Sequence, residues 1–211
     1  MKLKTLSLAV LTAISLAGPA SAAIVIAGGN GDFESTNVSD MTYYGPANGI
    51  YDGPFTSVEG WTFSGGSGSN FRWLFDNTTP FGPVDGTYAL NLTQANGTFA
   101  NVATTAVTGL VNGEEYTLSF DTAARSGAFG TITVDVDGTQ VGSFNQTVGT
   151  SYVTQSYTFT ATGPTATVAF NYGATLNGNG YMLDNVTVIP EPSAALLGGL
   201  GLLALLRRRR R

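Results

Sequence analysis

The chain of 211 residues contains no cysteine and no histidine. Without a thiol or an imidazole there can be no cysteine nucleophile, no Ser-His-Asp triad and none of the usual zinc ligands. No disulfide can staple the fold, so stability must come from burial, the backbone ladder or a bound hard cation. Positive charge is almost as scarce. Between Ala23 and Ile189 stand 13 acidic residues against two basic ones, Arg72 and Arg125, a net charge of −11. The whole-chain value of −5 conceals this, because Lys2, Lys4 and Arg207 to Arg211 all lie at the two ends. A surface of that sign repels phosphate backbones, so nucleic acid is excluded as a partner.

Long apolar runs are confined to the ends as well. Lys2 and Lys4 precede the apolar stretch Leu6 to Ala17, and Ala20-Ser21-Ala22 follows as an A-x-A cleavage site. This is the pattern of a secretory signal, predicted to be cut by signal peptidase after Ala22, so that residues 1–22 are a signal peptide with a short helix. At the other end, Pro190-Glu191-Pro192 leads into the apolar run Ala194 to Leu206 and then into five arginines. As a helix that run rises about 1.5 Å per residue, roughly 20 Å in all, and crosses a bilayer only if the membrane thins and the arginines snorkel. The arginines then stay cytoplasmic, which places everything before Pro190 across the inner membrane.

Pro190-Glu191-Pro192, an apolar helix containing Gly198-Gly199-Leu200-Gly201 and a terminal arginine cluster together resemble the PEP-CTERM sorting signal. The resemblance implies a Gram-negative, exopolysaccharide-producing bacterium and an exosortase that recognises the Pro-Glu-Pro region of the sorting tail, residues 190–211, and removes the helix beyond it. The final location it implies is the cell surface or the extracellular matrix. It says nothing of what the intervening residues do.

Residues 23–189 read as one all-β domain, an antiparallel β-sandwich. From Val102 onward the chain breaks into alternating segments bounded by Gly, Asn, Asp or Pro. Glu115 to Asp121 sets Tyr116, Leu118 and Phe120 on one face, and Thr131 to Val136 does the same with Ile132, Val134 and Val136. Asp137-Gly138 then offers a two-residue hairpin turn. Tyr152 to Thr160, Thr165 to Tyr172 and Tyr181 to Ile189 repeat the pattern, and no segment of the domain keeps a 3.6-residue apolar period. The stretch from Asn30 to Asn101 is less regular, rich in glycine and crowded with aromatics, as a loop-borne binding site would be.

Several landmarks in this domain are similar to the galactose-binding-domain-like jelly roll of carbohydrate-binding modules. They are Asn30-Gly31-Asp32-Phe33-Glu34, Gly60-Trp61, Asp85 to Leu92, Gly109 to Phe120 and Tyr181 to Val188, in the family's order. The resemblance implies a structural calcium ion where the first and last strands meet, with Glu34 and Asp184 at the matching positions. Such a site agrees with a domain offering hard oxygen donors and no soft ligands. Sugar binding would need an aromatic platform, for which Trp73, Tyr43, Tyr44 and Tyr51 are the candidates. Trp61, beside Gly60 and ahead of an apolar segment, reads as core, and Arg72 reads as half of a surface ion pair. No spacing singles out a glycosidase-like carboxylate pair, and Glu114-Glu115 would project to opposite faces of a strand, so catalysis is not expected. Two functions stay open at this stage: association with polysaccharide, and a purely structural role at the surface.

Overall fold

The computed structural model describes residues 23–35, 42–43, 50–53, 57–64, 72–76, 84, 86, 88–92, 101–124, 130–146, 149, 151–172 and 181–191, with backbone alone for 42–43, 50–53, 57–58, 72–76, 101 and 172. The chain opens with β1 (Val25–Ile26) and a 3-10 turn (Ala27–Gly29). The less regular third of the sequence then forms β2 (Thr42–Tyr43), β3 (Ile50–Gly53), β4 (Ser57–Val58), β5 (Trp61–Ser64), β6 (Arg72–Asp76) and β7 (Tyr88–Leu92). The regular part forms β8 (Asn101–Thr108), β9 (Glu115–Ala124), β10 (Ile132–Val136), β11 (Thr139–Phe144), β12 (Val153–Thr160), β13 (Thr165–Tyr172) and β14 (Tyr181–Pro190). No helix among the described residues is long and apolar enough to cross a membrane. Residues 1–22 and 192–211, with both expected terminal helices, lie outside the described residues.

The strands make two antiparallel sheets. One runs β11-β10-β13-β8-β5-β4, with β1 also paired to β8, and the other runs β12-β9-β14-β7-β6-β3-β2. Alternation explains why they stack. Every second residue from Tyr116 to Phe120 on β9, and along β10, is apolar and buried, because successive side chains on a strand face opposite ways. Tyr116, Leu118, Phe120, Ile132, Val134 and Val136 all enter the same core, as their spacing predicts. Phe120 meets Phe170 edge-on at 4.9 Å between centroids, and Phe144 meets Tyr181 edge-on at 5.7 Å. Such pairs add to the burial of large rings the favourable contact of a positive ring edge with a negative face.

The expected hairpin turn is present. Asp137 (φ 49°) and Gly138 (φ 76°) both adopt the left-handed conformation that a type I′ turn needs, and Val136 pairs with Thr139 across it. The Asp137 carboxylate also accepts the Thr167 N–H at 2.8 Å, tying the turn to β13.

Trp61 is core, 1% exposed, and its indole N–H donates to the Asn30 carbonyl at 2.8 Å. Asn30 is itself closed off from solvent. Its amide donates to the carbonyls of Ser35 (3.1 Å) and Glu59 (2.9 Å), and its side-chain oxygen accepts the Ser35 N–H (2.8 Å). One buried asparagine thereby fixes the N-terminal loop and stitches it to the β4–β5 turn.

Candidate functional site

Glu34 and Asp184 come from opposite ends of the domain and take hold of one short segment. Glu34 Oε1 accepts the Tyr88 N–H at 2.8 Å, and Asp184 Oδ2 accepts the Val84 N–H at 2.9 Å. Asp184 is fully buried, and its second oxygen accepts the Asn185 N–H at 2.8 Å. The backbone beside each carboxylate is unusual: Phe33 (φ 56°) and Asn185 (φ 51°) both sit in the left-handed region, which costs a non-glycine residue energy. At Asp184 the pairing of β14 with β9 slips by a bulge that ends at Thr187. Within that bulge the Val186 N–H turns to the Gly31 carbonyl at 2.8 Å. First loop and last strand are therefore joined directly, with the Val84–Tyr88 segment held between their two carboxylates. The donors gathered here are hard oxygens, which suits a calcium ion in kind. No group of three acidic residues that could hold a metal assembles among the described residues.

The outer face of the second sheet carries a different arrangement. Cross-strand register runs in one row from Ala123 through Met182, Asn91, Trp73 and Asp52 to Thr42. Ala89, Ala123 and Met182 form a small buried cluster apart from the main core, and Tyr152 packs on it. The Tyr152 hydroxyl is enclosed and has no hydrogen-bond partner among the described residues. Burial pushes its ionisation far above the ordinary tyrosine range, and the negative charges of Asp184 and Asp121 push it further. Those two aspartates are direct cross-strand neighbours on β14 and β9. Asp121 is engaged by the Thr154 hydroxyl at 2.6 Å and the Asn185 amide at 3.2 Å.

The candidate platform aromatics separate. Trp73 belongs to the Asn91–Met182 row, whereas Tyr43 pairs with Tyr51, which pairs with Leu74 and so with the core residue Leu90, one row away. Tyr44 lies outside the described residues, as does Pro192 of the sorting motif. Pro190 is the last residue of β14, and Glu191 extends the ladder past it. The Glu191 N–H donates to the Glu115 carbonyl at 3.0 Å, and its carboxylate accepts the Thr117 hydroxyl.

Residues 188–211 match the PEP-CTERM protein-sorting motif. A PEP-CTERM tail marks an exported protein that is processed at the membrane by an exosortase. No protein of curated function matches the chain by sequence. Among solved structures, a cyclase from Fischerella sp. TAU has the same fold: TM-score 0.55, 14% identity, covering 81% of this chain and 98% of the cyclase. TmCBM61, solved with β-1,4-galactotriose, is similar at TM-score 0.46 and 16% identity over 62% of this chain and 88% of that one. The C-terminal domain of EclA, a sugar-binding protein, is similar at TM-score 0.38 and 21% identity over 46% of this chain and 81% of that domain. At 14% identity the likeness to the cyclase is one of fold alone.

Sequence reasoning named Glu34 and Asp184, as calcium ligands, and did not single out Tyr152, Asp121, Asn30 or Thr117. Alternation along β9 separates Thr117, Ser119 and Asp121 from the core residues between them. Their partners depend on strand order, which no local pattern encodes.

Proposed function

We propose that the domain associates with the polysaccharide of the surface or matrix to which its PEP-CTERM tail sends it, through the outer face of the second sheet. The observation carrying this reading is the row from Met182 through Asn91 to Trp73, with Tyr152 beside it. Indole, amide and phenol are the group types that a sugar, apolar on its ring faces and polar at its rim, can use. The reading is non-catalytic. Asp184 and Asp121, the two carboxylates that act on Tyr152, are hydrogen-bonded to backbone or side-chain donors, and the chain has no imidazole or thiol to share proton transfer. Glu34 and Asp184 would hold one structural calcium ion, which supplies charge neutralisation and ties the Val84–Tyr88 segment to both ends of the domain.

A purely structural role has its own support. Met182, Ala123 and Asn91 are at most 1% exposed, so the chain itself covers that part of the row. Calorimetric titration of residues 23–191 with exopolysaccharide from the producing cells separates the two readings. Binding weakened at least about tenfold by Trp73→Ala supports glycan recognition, on the scale of an interface anchor. No heat with any polysaccharide supports the structural role. Titration with calcium in the same series checks the cation: a rise in melting temperature that Asp184→Asn abolishes is expected, and no binding at millimolar calcium removes the ion from the proposal.

A further inference from the structure

The sorting motif is not joined to the domain by a linker. β14 runs to Pro190, whose register partner is Tyr116, and the next residue stays on the same ladder. Continuing the register by one step sets Glu191 opposite Glu115, and the Glu191 N–H does donate to the Glu115 carbonyl at 3.0 Å. In an antiparallel pair the diagonal neighbour lies on the same face within reach of a long side chain. That neighbour is Thr117, whose hydroxyl donates to the Glu191 carboxylate. The fold thus engages both the backbone and the side chain of the central residue of the Pro-Glu-Pro motif.

We infer that this end of β14 is a latch which withholds the motif from the processing enzyme, with Thr117 and Glu115 as positioning residues of opposite effect. A membrane-embedded peptidase must take its substrate as an exposed, extended segment, and Glu191 cannot offer its N–H and carboxylate while β9 holds them. The latch is built to open. Pro190 has no N–H, so it donates nothing to the ladder. Ile189 is 54% exposed and anchors little. Glu115 is exposed and places a like charge directly opposite Glu191, which weakens the pair. Among the described residues, what keeps Glu191 in place is one backbone hydrogen bond and the Thr117 hydroxyl. Strand ends held this lightly open locally while the rest of the sheet stays formed. Opening of the last few residues then sets how fast the tail is removed.

This rests on the reading that the tail is processed, and the experiment keeps the two apart. The full chain is pulse-labelled in the producing cells, and conversion from the tail-bearing to the tail-free form is followed by mass. Thr117→Val removes the hydroxyl at nearly constant shape, and processing is expected to quicken about fivefold, the population shift of one lost hydrogen bond. Thr117→Ser restores the slow rate. Glu115→Gln removes the opposing charge and slows processing. Ser119→Ala, on the same strand face and bonded through its hydroxyl to Ser156 rather than to Glu191, leaves the rate unchanged and controls for general loosening of the sheet. Wild-type and variant chains with the same processing rate, or a slower rate in Thr117→Val, overturn the latch. Wild-type chains that never lose the tail overturn the reading on which it rests.

Discussion

Asn30 is a polar residue placed where leucine would ordinarily sit. It is 1% exposed, yet it makes three hydrogen bonds that replace those lost to water, and Trp61 covers it while donating to its carbonyl. Replacing it leaves the half-buried Ser35 N–H and the carbonyls of Ser35 and Glu59 without the partner that Asn30 supplies. Each buried group left unsatisfied costs about 1–3 kcal/mol. Asn30→Ala should therefore lower stability by about 3 kcal/mol or more in urea unfolding, with the m-value unchanged if the compactness of both states is preserved. The residue scale is also where the sequence is least legible. Asn30 stands in a recognisable landmark, Asn30-Gly31-Asp32-Phe33-Glu34, but nothing in the string says that its amide reaches a turn 29 residues away. Phe120 and Ile132 were readable as core because alternation alone decides their side of a strand. Tyr152 was not, because its neighbour Met182 arrives from a strand 30 residues on, through a sheet order that local pattern leaves open.

At the scale of single elements, turns show how surroundings decide the worth of one conformation. Gly60 and Gly138 have nearly the same backbone angle, φ 78° and 76°. A Cβ on Gly138 would meet nothing within 4 Å, whereas one on Gly60 would come within 1.8 Å of the Ala27 carbonyl oxygen. Gly138→Ala should cost only the backbone strain of a left-handed alanine, about 1 kcal/mol. Gly60→Ala adds a collision with backbone that cannot rotate away, and should cost at least twice as much. Chemical denaturation of the two variants side by side measures the difference. The Asp137-Gly138 hairpin was legible because its signal is local. The short strands β2 to β6 were not, since they form on the edges of sheets already laid down by longer strands, and glycine-rich sequence conceals their alternation. The same limit applies to the site: two carboxylates could be matched to a known jelly roll, while the bulge that brings Asp184 to its place follows from the pairing of β14 with β9.

Across the whole molecule, the tyrosines link stability to pH. Burial raises the ionisation of Tyr152, Tyr157 and Tyr181 above the ordinary value of 10.0. The native state therefore keeps these protons at pH values where the unfolded chain has released them. Stability contributed in this way is complete below about pH 10 and is lost as pH rises above it. Urea melts between pH 8 and pH 11.5 should show a flat region followed by a decline, and Tyr152→Phe should make the decline shallower. A decline that is identical in the variant would mean that neither burial nor its aspartate neighbours hold the proton on the Tyr152 phenol.

The joining of first loop to last strand sets the timing of folding. Val84 and Asp184 are a hundred residues apart in the chain, and Gly31 and Val186 still farther. Contacts of such separation form late, because the intervening chain must first be available and its loop entropy overcome. A chain threaded outward from its N-terminus cannot close this sandwich while its last strand is still inside the cell. The unclosed chain remains slack enough to pass through a narrow channel, and the domain locks only when β14 emerges, with the apolar tail close behind it.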